Sequence, residues 1–380
     1  MEQTINRGLD GVNIDTSSIS FIDGAKGELI YRGYDIRQLA DKASFEEVVY
    51  LLWNGELPNA TQLDDFNASL AASFAVPEAV YTMLREAPRN AAPMHLLRTA
   101  VSLLGAFDGD ADEVDMPNVR RIGTRLLTQF PTIVAAIQRV REGQAPIQPH
   151  PELGIAGNFL YMLTGEQPTA AATDVMDVAL VLHAEHGSNA STFVSRATAS
   201  SLTDVYSAIT AAIGSLKGPL HGGANEAVME ALEEIGSVDG VERYVLDVLA
   251  RPGGRVMGFG HRVYRVVDPR ALVLRAVAQR LAEESGDSKW FTMSLEMERV
   301  MDREMSAKGK QVRPNVDFFS ASVYRMLGFP AAMYTPIFAV SRVAGWTAHL
   351  YEQYADNRLM RPRLVYEGQR GKTFTPLAER

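Results

Sequence analysis

Residues 44–58, SFEEVVYLLWNGELP, carry one helix together with both of its ends. Ser44 and Glu47 have the spacing of a capping box, in which each side chain accepts a hydrogen bond from the backbone amide of the other. Phe45, Val48, Val49 and Leu52 recur at helical spacing and make one apolar face. Gly55, which reaches a left-handed conformation without a steric penalty, and then Pro58, which has no N–H, stop the helix. Working outward, similar patterns recur near 119–142, 171–186, 203–216, 225–235, 270–284 and 332–354. Upstream, ISFIDGAKGELIYRG (19–33) alternates apolar and polar residues on either side of Gly24 and Gly27, which reads as a short hairpin. Long alternating strands are otherwise missing. The pattern predicts a mainly α-helical protein with a short N-terminal β-hairpin.

Two Gly/Pro-rich joints, LKGPLHGG (216–223) and RPGG (251–254), and a turn at GFP (328–330) break the helical pattern. They suggest that residues from about 220 to about 325 form a separable unit inserted in the chain. From Arg358 the tail RLMRPRLVYEGQRGKTF is basic and irregular, either a loose end or an arm that wraps a partner.

The 380 residues suffice for two domains, and 46% hydrophobic with 22% charged residues fits a soluble globular chain. A net charge of −9 and a pI near 5.4 argue against non-specific nucleic-acid binding, though not against an anionic ligand at a local basic site. With no cysteine there is no disulfide, thiolate metal site or Cys nucleophile, and the chain suits a reducing compartment such as the cytoplasm. The N-terminal MEQTINRGLDGVN has no apolar core of a signal peptide, and no apolar run reaches membrane-spanning length.

Against this acidic background, the window from Arg251 to Arg280 holds seven Arg and one Asp. Within it lies GFGHRVYRVVDPR (258–270). Asp268-Pro269 reads as a helix N-cap followed by Pro at the first helical position, which puts Arg270 in the first turn. Arg262, Arg265 and Arg270 form either an anion site or a solvated cationic face. Gly258-Phe259-Gly260 lacks the third glycine of a dinucleotide fingerprint. Three of the seven histidines, His186, His221 and His261, touch a glycine, as happens at turns and helix ends where side chains face ligands. His221, in KGPLHGGANEAVMEAL, sits close to a helix start near Asn225, where the dipole disfavours protonation; HGG is otherwise simply a loop. Asp317, in RPNVDFFSASVYRMLG, is either a first-turn residue or a carboxylate base among apolar neighbours. Burial would raise its pKa and the helix N-terminus would lower it. His183 and His186 have i, i+3 spacing, but HExxH is absent, so a helix-end role is favoured over metal. GKT at 371–373 fails as a phosphate-binding loop because residue 366 is Tyr, and no GxSxG elbow occurs.

Taken together these residues resemble the citrate synthase family, over nearly the whole chain. SxIDGxxGELxYRGYDI, LHAEHGSNAST, GPLHGGANEA, GFGHRVYRxxDPRA, PNVDFFSA, FAVSRVAGWTAH and RPRLVYEG occur in the family's order and at its approximate spacing. The resemblance implies a two-domain, all-helical homodimer, with residues 1–219 and 326–380 as the large domain and 220–325 as the small domain that closes over the site. It implies condensation of acetyl-CoA with oxaloacetate and hydrolysis of citryl-CoA to citrate and CoA, with no metal or redox cofactor. Asp317 would be the general base, His221 the donor to the thioester oxygen, and His261 the group that polarises and protonates the oxaloacetate carbonyl. Arg270, Arg342 and the other subunit's copy of Arg361 would hold the carboxylates, with His186 completing the pocket. Gly258, Phe259 and Gly260 would cradle the adenine end of CoA, and Arg262 and Arg265 would meet its phosphates. The chain begins almost at the family's core motif, without the N-terminal extension of the NADH-inhibited hexameric form, so a dimer is expected. The nearest rival is 2-methylcitrate synthase, which uses propionyl-CoA; Val316 before Asp317 looks more like the citrate enzymes. A silent CoA- or dicarboxylate-binding module and a metal hydrolase built on His183 and His186 are the rivals from other classes.

Overall fold

A computed structural model describes residues 5–9 and 11–380; part of the N-terminal stretch read above for a leader lies outside these. The hairpin comes first: β1 (Ser20–Asp23) pairs antiparallel with β2 (Glu28–Tyr31), Ser20 opposite Tyr31. A third short strand that the sequence did not announce, β3 (Tyr34–Asp35), pairs with β2. Ten helices follow: α1 (Ile36–Lys42), α2 (Phe45–Asn54), α3 (Ala60–Ala71), α4 (Glu78–Glu86), α5 (Pro93–Ala106), α6 (Met116–Arg141), α7 (Ile155–Thr164), α8 (Ala170–His183), α9 (Ala190–Ala199) and α10 (Val205–Leu216). Then come α11 (Ala224–Ile235), α12 (Val241–Ala250), α13 (Pro269–Ser285), α14 (Lys289–Ala307), α15 (Val316–Met326) and α16 (Tyr334–Ala355).

The helix ends follow local chemistry. At α2 the Ser44 hydroxyl accepts the Glu47 amide at 3.2 Å, the Glu47 carboxylate accepts the Ser44 amide at 2.8 Å, and Gly55 closes the helix at φ 93°. Asp268 caps α13 with Pro269 at its first position, and Asn315 caps α15. The helices α1, α3, α4, α5, α7, α9, α12 and α14 were not anticipated; several are short, and their apolar positions are partly alanine or interrupted by polar residues, as in ASTFVSRATA of α9. The pattern read over 171–186 ends as a helix at His183, because the next four residues turn around a buried glutamate.

The last helix, α16, is buried on every side from Tyr334 to Tyr351, as a helix through the middle of a core must be. It packs on α2, α6, α8, α9 and α10. The stretch α11–α15 packs largely on itself, with α15 against α11, α13 and α14; α13 also reaches α1 and α8, and α11 reaches α16. Beyond Asp356 the chain forms no α-helix, and residues 361–380 are exposed. Among the described residues no helix is long and apolar enough to cross a membrane.

Candidate active site

The loop between α12 and α13 presents His261. Its Nδ1 accepts two backbone N–H groups, from Val263 at 3.0 Å and Tyr264 at 3.2 Å. Both partners can only donate, so the proton of the neutral ring sits on Nε2. The loop is held from outside by the hairpin turn. Arg265 N–H donates to Gly24 O at 2.8 Å, and a Cβ on Gly24 would lie 2.1 Å from Val263 O, so only glycine fits. The His261 ring packs 5.2 Å from His186 and 4.8 Å from Tyr264, and the Tyr264 hydroxyl lies 3.1 Å from His186 Nε2. Burial, then the charge of Arg270, push His261 down to about 4; the same causes, with Arg342, hold His186 well below its ordinary value. Both rings are neutral at pH 7.

Two buried arginines face this group. Arg270 is 2% exposed and grips Asp268 through Nε at 3.0 Å and Nη2 at 2.8 Å. Asp268 thus caps α13 and neutralises its arginine, and it keeps Arg270 protonated against the cost of burial. Arg342, on α16, is 1% exposed. Its Nε donates to His183 O at 2.8 Å and its guanidinium lies 4.7 Å from the Phe338 ring centre. It makes no ion pair among the described residues, and burial pushes it down to about 10, with Glu185 the main opposing charge. Arg342, a buried cation without an ion pair among the described residues, is the group here that an anion would compensate. Glu185 is fully buried; its Oε1 accepts Gly187 N at 2.5 Å, Ser20 Oγ at 2.8 Å and His349 Nε2 at 3.0 Å, and it folds the turn that carries His186.

Asp317 is held at the first turn of α15. Asn315 Oδ1 accepts the Asp317 N–H at 3.0 Å, so that amide is spent on the cap and not on the carboxylate. Asp317 Oδ1 is buried without a hydrogen-bond partner. Burial raises its pKa to about 7, with Arg270 and Arg342 working in the opposite direction and Asp268 in the same one. His221 lies just before α11, its ring 6.5 Å from that of Phe338. Burial, then Arg342, push it down to about 4. Its Nε2 faces Ser191, whose N–H lies at 3.3 Å and Oγ at 2.7 Å.

These residues, His186, His221, His261, Arg270, Arg342 and Asp317, are brought together from five separate stretches of the chain. The others are placed differently. Gly258 and Gly260 pair with 313–315: Gly260 N donates to Arg313 O at 2.8 Å, Gly258 O accepts Asn315 N at 2.9 Å and Gly260 O accepts Asn315 Nδ2 at 2.9 Å. Both carbonyls and the Gly260 amide are thereby used within the chain, while the Phe259 ring lies tilted 4.6 Å from that of Phe318. A cavity of about 220 Å³ opens beside them, lined by His261, Arg265, Gln311 and Arg313 among others. Arg262 and Arg265 are exposed, and Arg361 lies on the exposed C-terminal segment. His183 diverges from His186: its Nδ1 bonds Ala179 O at 2.8 Å and its ring packs 5.1 Å from Phe338. Among the described residues no three His, Cys, Asp or Glu side chains are arranged so that they could hold a metal ion. Tyr264, Ser191, Glu185 and Trp346 also belong to this cluster or support it; each lies inside one of the motifs above, with no signal of its own in the sequence.

The model of the family "Citrate synthase, C-terminal domain" matches residues 8–363. The citrate synthase of Haloferax volcanii is 48% identical, over 100% of both chains. The 2-methylcitrate synthase 1 of Corynebacterium glutamicum is 41% identical, over 100% of this chain and 99% of its own. A solved structure of the Thermoplasma acidophilum citrate synthase, a ternary complex with carboxymethyl coenzyme A and oxaloacetate, superposes with a TM-score of 0.94 at 34% identity, covering 100% of each chain. A cluster of neutral histidines and two buried arginines lies in a chain that these relatives match end to end, and the chain belongs to the citrate synthase family and is an acyltransferase.

Proposed function

We propose that this chain condenses acetyl-CoA with oxaloacetate and hydrolyses the resulting citryl-CoA to citrate and CoA. The observation that carries the reading is Asp317 Oδ1, buried and unpartnered with its pKa raised to about 7, in a pocket that holds two buried arginines. A thioester α-carbon is a weak acid, so a base of raised pKa and an oxygen-side donor have to act together. Asp317 takes a proton from the acetyl methyl group while neutral His221 donates a hydrogen bond to the thioester oxygen. The carbon of the hydrogen-bonded enolate attacks the ketone of oxaloacetate, the new C–C bond forms and the ketone π electrons move to its oxygen. The ketone oxygen takes its proton from His261 Nε2, the nitrogen left protonated by the two backbone bonds at Nδ1. Water then cleaves the thioester, releasing CoA thiol and citrate. The proton that Asp317 took from the methyl group returns through water to His261 Nε2, so both residues end as they began; acetyl-CoA, oxaloacetate and water give citrate and CoA without any change of oxidation state, and no metal or redox group is required.

Arg270 and Arg342 hold the two carboxylates, with His186 beside them. Arg361 serves the site of a second copy in a homodimer, which fits its exposure in a single chain. Residues 220–325 act as the small domain that closes on the substrates. The strap Gly258-Phe259-Gly260 meets the adenine end of CoA chiefly through Phe259, because Gly258 and Gly260 already spend their carbonyls and one amide on 313–315. Arg262 and Arg265 meet the phosphates. The cytoplasm is the setting proposed with this reading.

The test is release of CoA thiol with oxaloacetate, comparing acetyl-CoA with propionyl-CoA by kcat/KM. A clear acetyl preference supports the reading. A propionyl preference moves the chain to 2-methylcitrate synthesis on the same residues, which differ by one methylene worth only about 1–3 kcal/mol in a pocket. No release with either rejects it.

A further inference from the structure

Resting on the donor role proposed for His221, we infer that Trp346 is a positioning residue that fixes the tautomer of His221 through Ser191. The chain of contacts is short and its directions are set by chemistry. The indole Nε1–H of Trp346, which can only donate, lies 3.1 Å from Ser191 Oγ. Ser191 Oγ lies 2.7 Å from His221 Nε2, and the Ser191 backbone N–H points at the same nitrogen at 3.3 Å. A backbone N–H cannot accept, so Nε2 must be the bare nitrogen, and the ring's proton belongs on Nδ1. The hydroxyl has a competing acceptor, Asn189 Oδ1 at 2.8 Å, which already receives Thr192 N–H at 3.2 Å. By donating to Oγ, the indole occupies one of its lone pairs and makes its O–H a better donor to Nε2. Without the indole, Oγ is freer to turn its proton to Asn189 and accept from Nε2–H. That is the wrong tautomer for a ring that must donate from Nδ1. Among the described residues Nδ1 makes no hydrogen bond within the chain, which leaves it to the substrate. Trp346 is fully buried on α16, one turn after Arg342, and packs edge-on against Phe130 at 6.5 Å. One buried helix therefore carries a substrate-binding cation and the support of the oxygen-side donor.

The experiment uses Trp346→Phe, which keeps most of the aromatic packing and removes the donor, alone and with Ser191→Ala. Trp346→Phe is expected to lower kcat by about 10-fold and Ser191→Ala by about 100-fold, with the oxaloacetate KM within about 2-fold of the parent. The double variant should be no slower than Ser191→Ala alone, because the indole acts only through the hydroxyl; a packing defect would instead add. In ¹⁵N-histidine spectra of the ligand-free protein, His221 should show a bare Nε2 and a protonated Nδ1. Trp346→Phe should shift its population toward the other tautomer. Additive losses of kcat, or a parent protein whose His221 is protonated at Nε2, overturn the inference. The spectrum is read without turnover, so it also serves a folded variant too slow to assay, and it separates failure of this inference from failure of the proposed reaction.

Discussion

Replacing Asp317 by Asn separates two consequences of burying one carboxyl. In the native protein burial raises this group from 3.8 to about 7. Each unit of pKa difference between folded and unfolded states corresponds to 1.36 kcal/mol, so ionising the buried carboxyl costs the fold roughly 4 kcal/mol. Between these two values the folded state binds more protons than the unfolded chain. The contribution of Asp317 to stability is therefore full below about 3.8, declines as the pH rises, and is lost once the pH passes about 7. Asn has nearly the same shape and does not titrate. The stability of Asp317→Asn relative to the parent should therefore climb by roughly 4 kcal/mol between pH 4 and pH 8. His221 and His261, pushed down to about 4, make both proteins less stable as the pH falls below their unfolded values, and cancel in the comparison. Denaturant unfolding at matched protein concentration across this range reads the difference. In the same pair of proteins kcat should fall by about 10³-fold or more, and the parent's kcat/KM should rise with pH up to about 7 as the base ionises. A stability difference that stays flat with pH would refute the strained-carboxylate reasoning. Near-normal turnover would refute the base assignment.

Arg342→Leu should raise the oxaloacetate KM by about 100-fold, the loss of a charge-assisted contact, while leaving the acetyl-CoA KM near the parent value. Its melting temperature should be retained, since a buried cation without an ion-pair partner is removed; steady-state kinetics and a melt check both. Gly24→Ala puts a methyl group 2.1 Å from Val263 O, so the His261 loop must move, and kcat/KM should drop by about 10-fold with secondary structure unchanged by circular dichroism. Arg361→Ala should raise the oxaloacetate requirement. When mixed with an Asp317→Asn subunit it should regain part of its activity, because one site of the heterodimer then has both residues; absence of rescue in isolated heterodimers would reject the shared site.

Much of the local chemistry was legible along the chain. The capping box at Ser44, the glycine stop at Gly55, the Asp268-Pro269 helix start and the hairpin turn at Gly24 each depend on residues within a few positions of one another. The candidate site residues were legible as motifs, because histidine beside glycine, and arginine in a first turn, carry their chemistry with them. Ser191, Glu185, Tyr264 and Trp346 lay inside the same motifs and gave no sign of what they do. Their partners are His221, His349, His186 and Ser191, all far away in sequence or around a turn.

By itself, the sequence determined that the chain is helical, where several helices begin, and which ionisable groups are available. Tertiary structure alone decided their protonation. Asp317 stands at a helix start, which lowers a carboxyl pKa, and among apolar residues, which raise it. Burial wins because Asn315 takes the nearby amide and leaves Oδ1 without a donor. Helix starts are encoded by neighbours in the chain; desolvation is set by whatever packs over the group, and that comes from everywhere else.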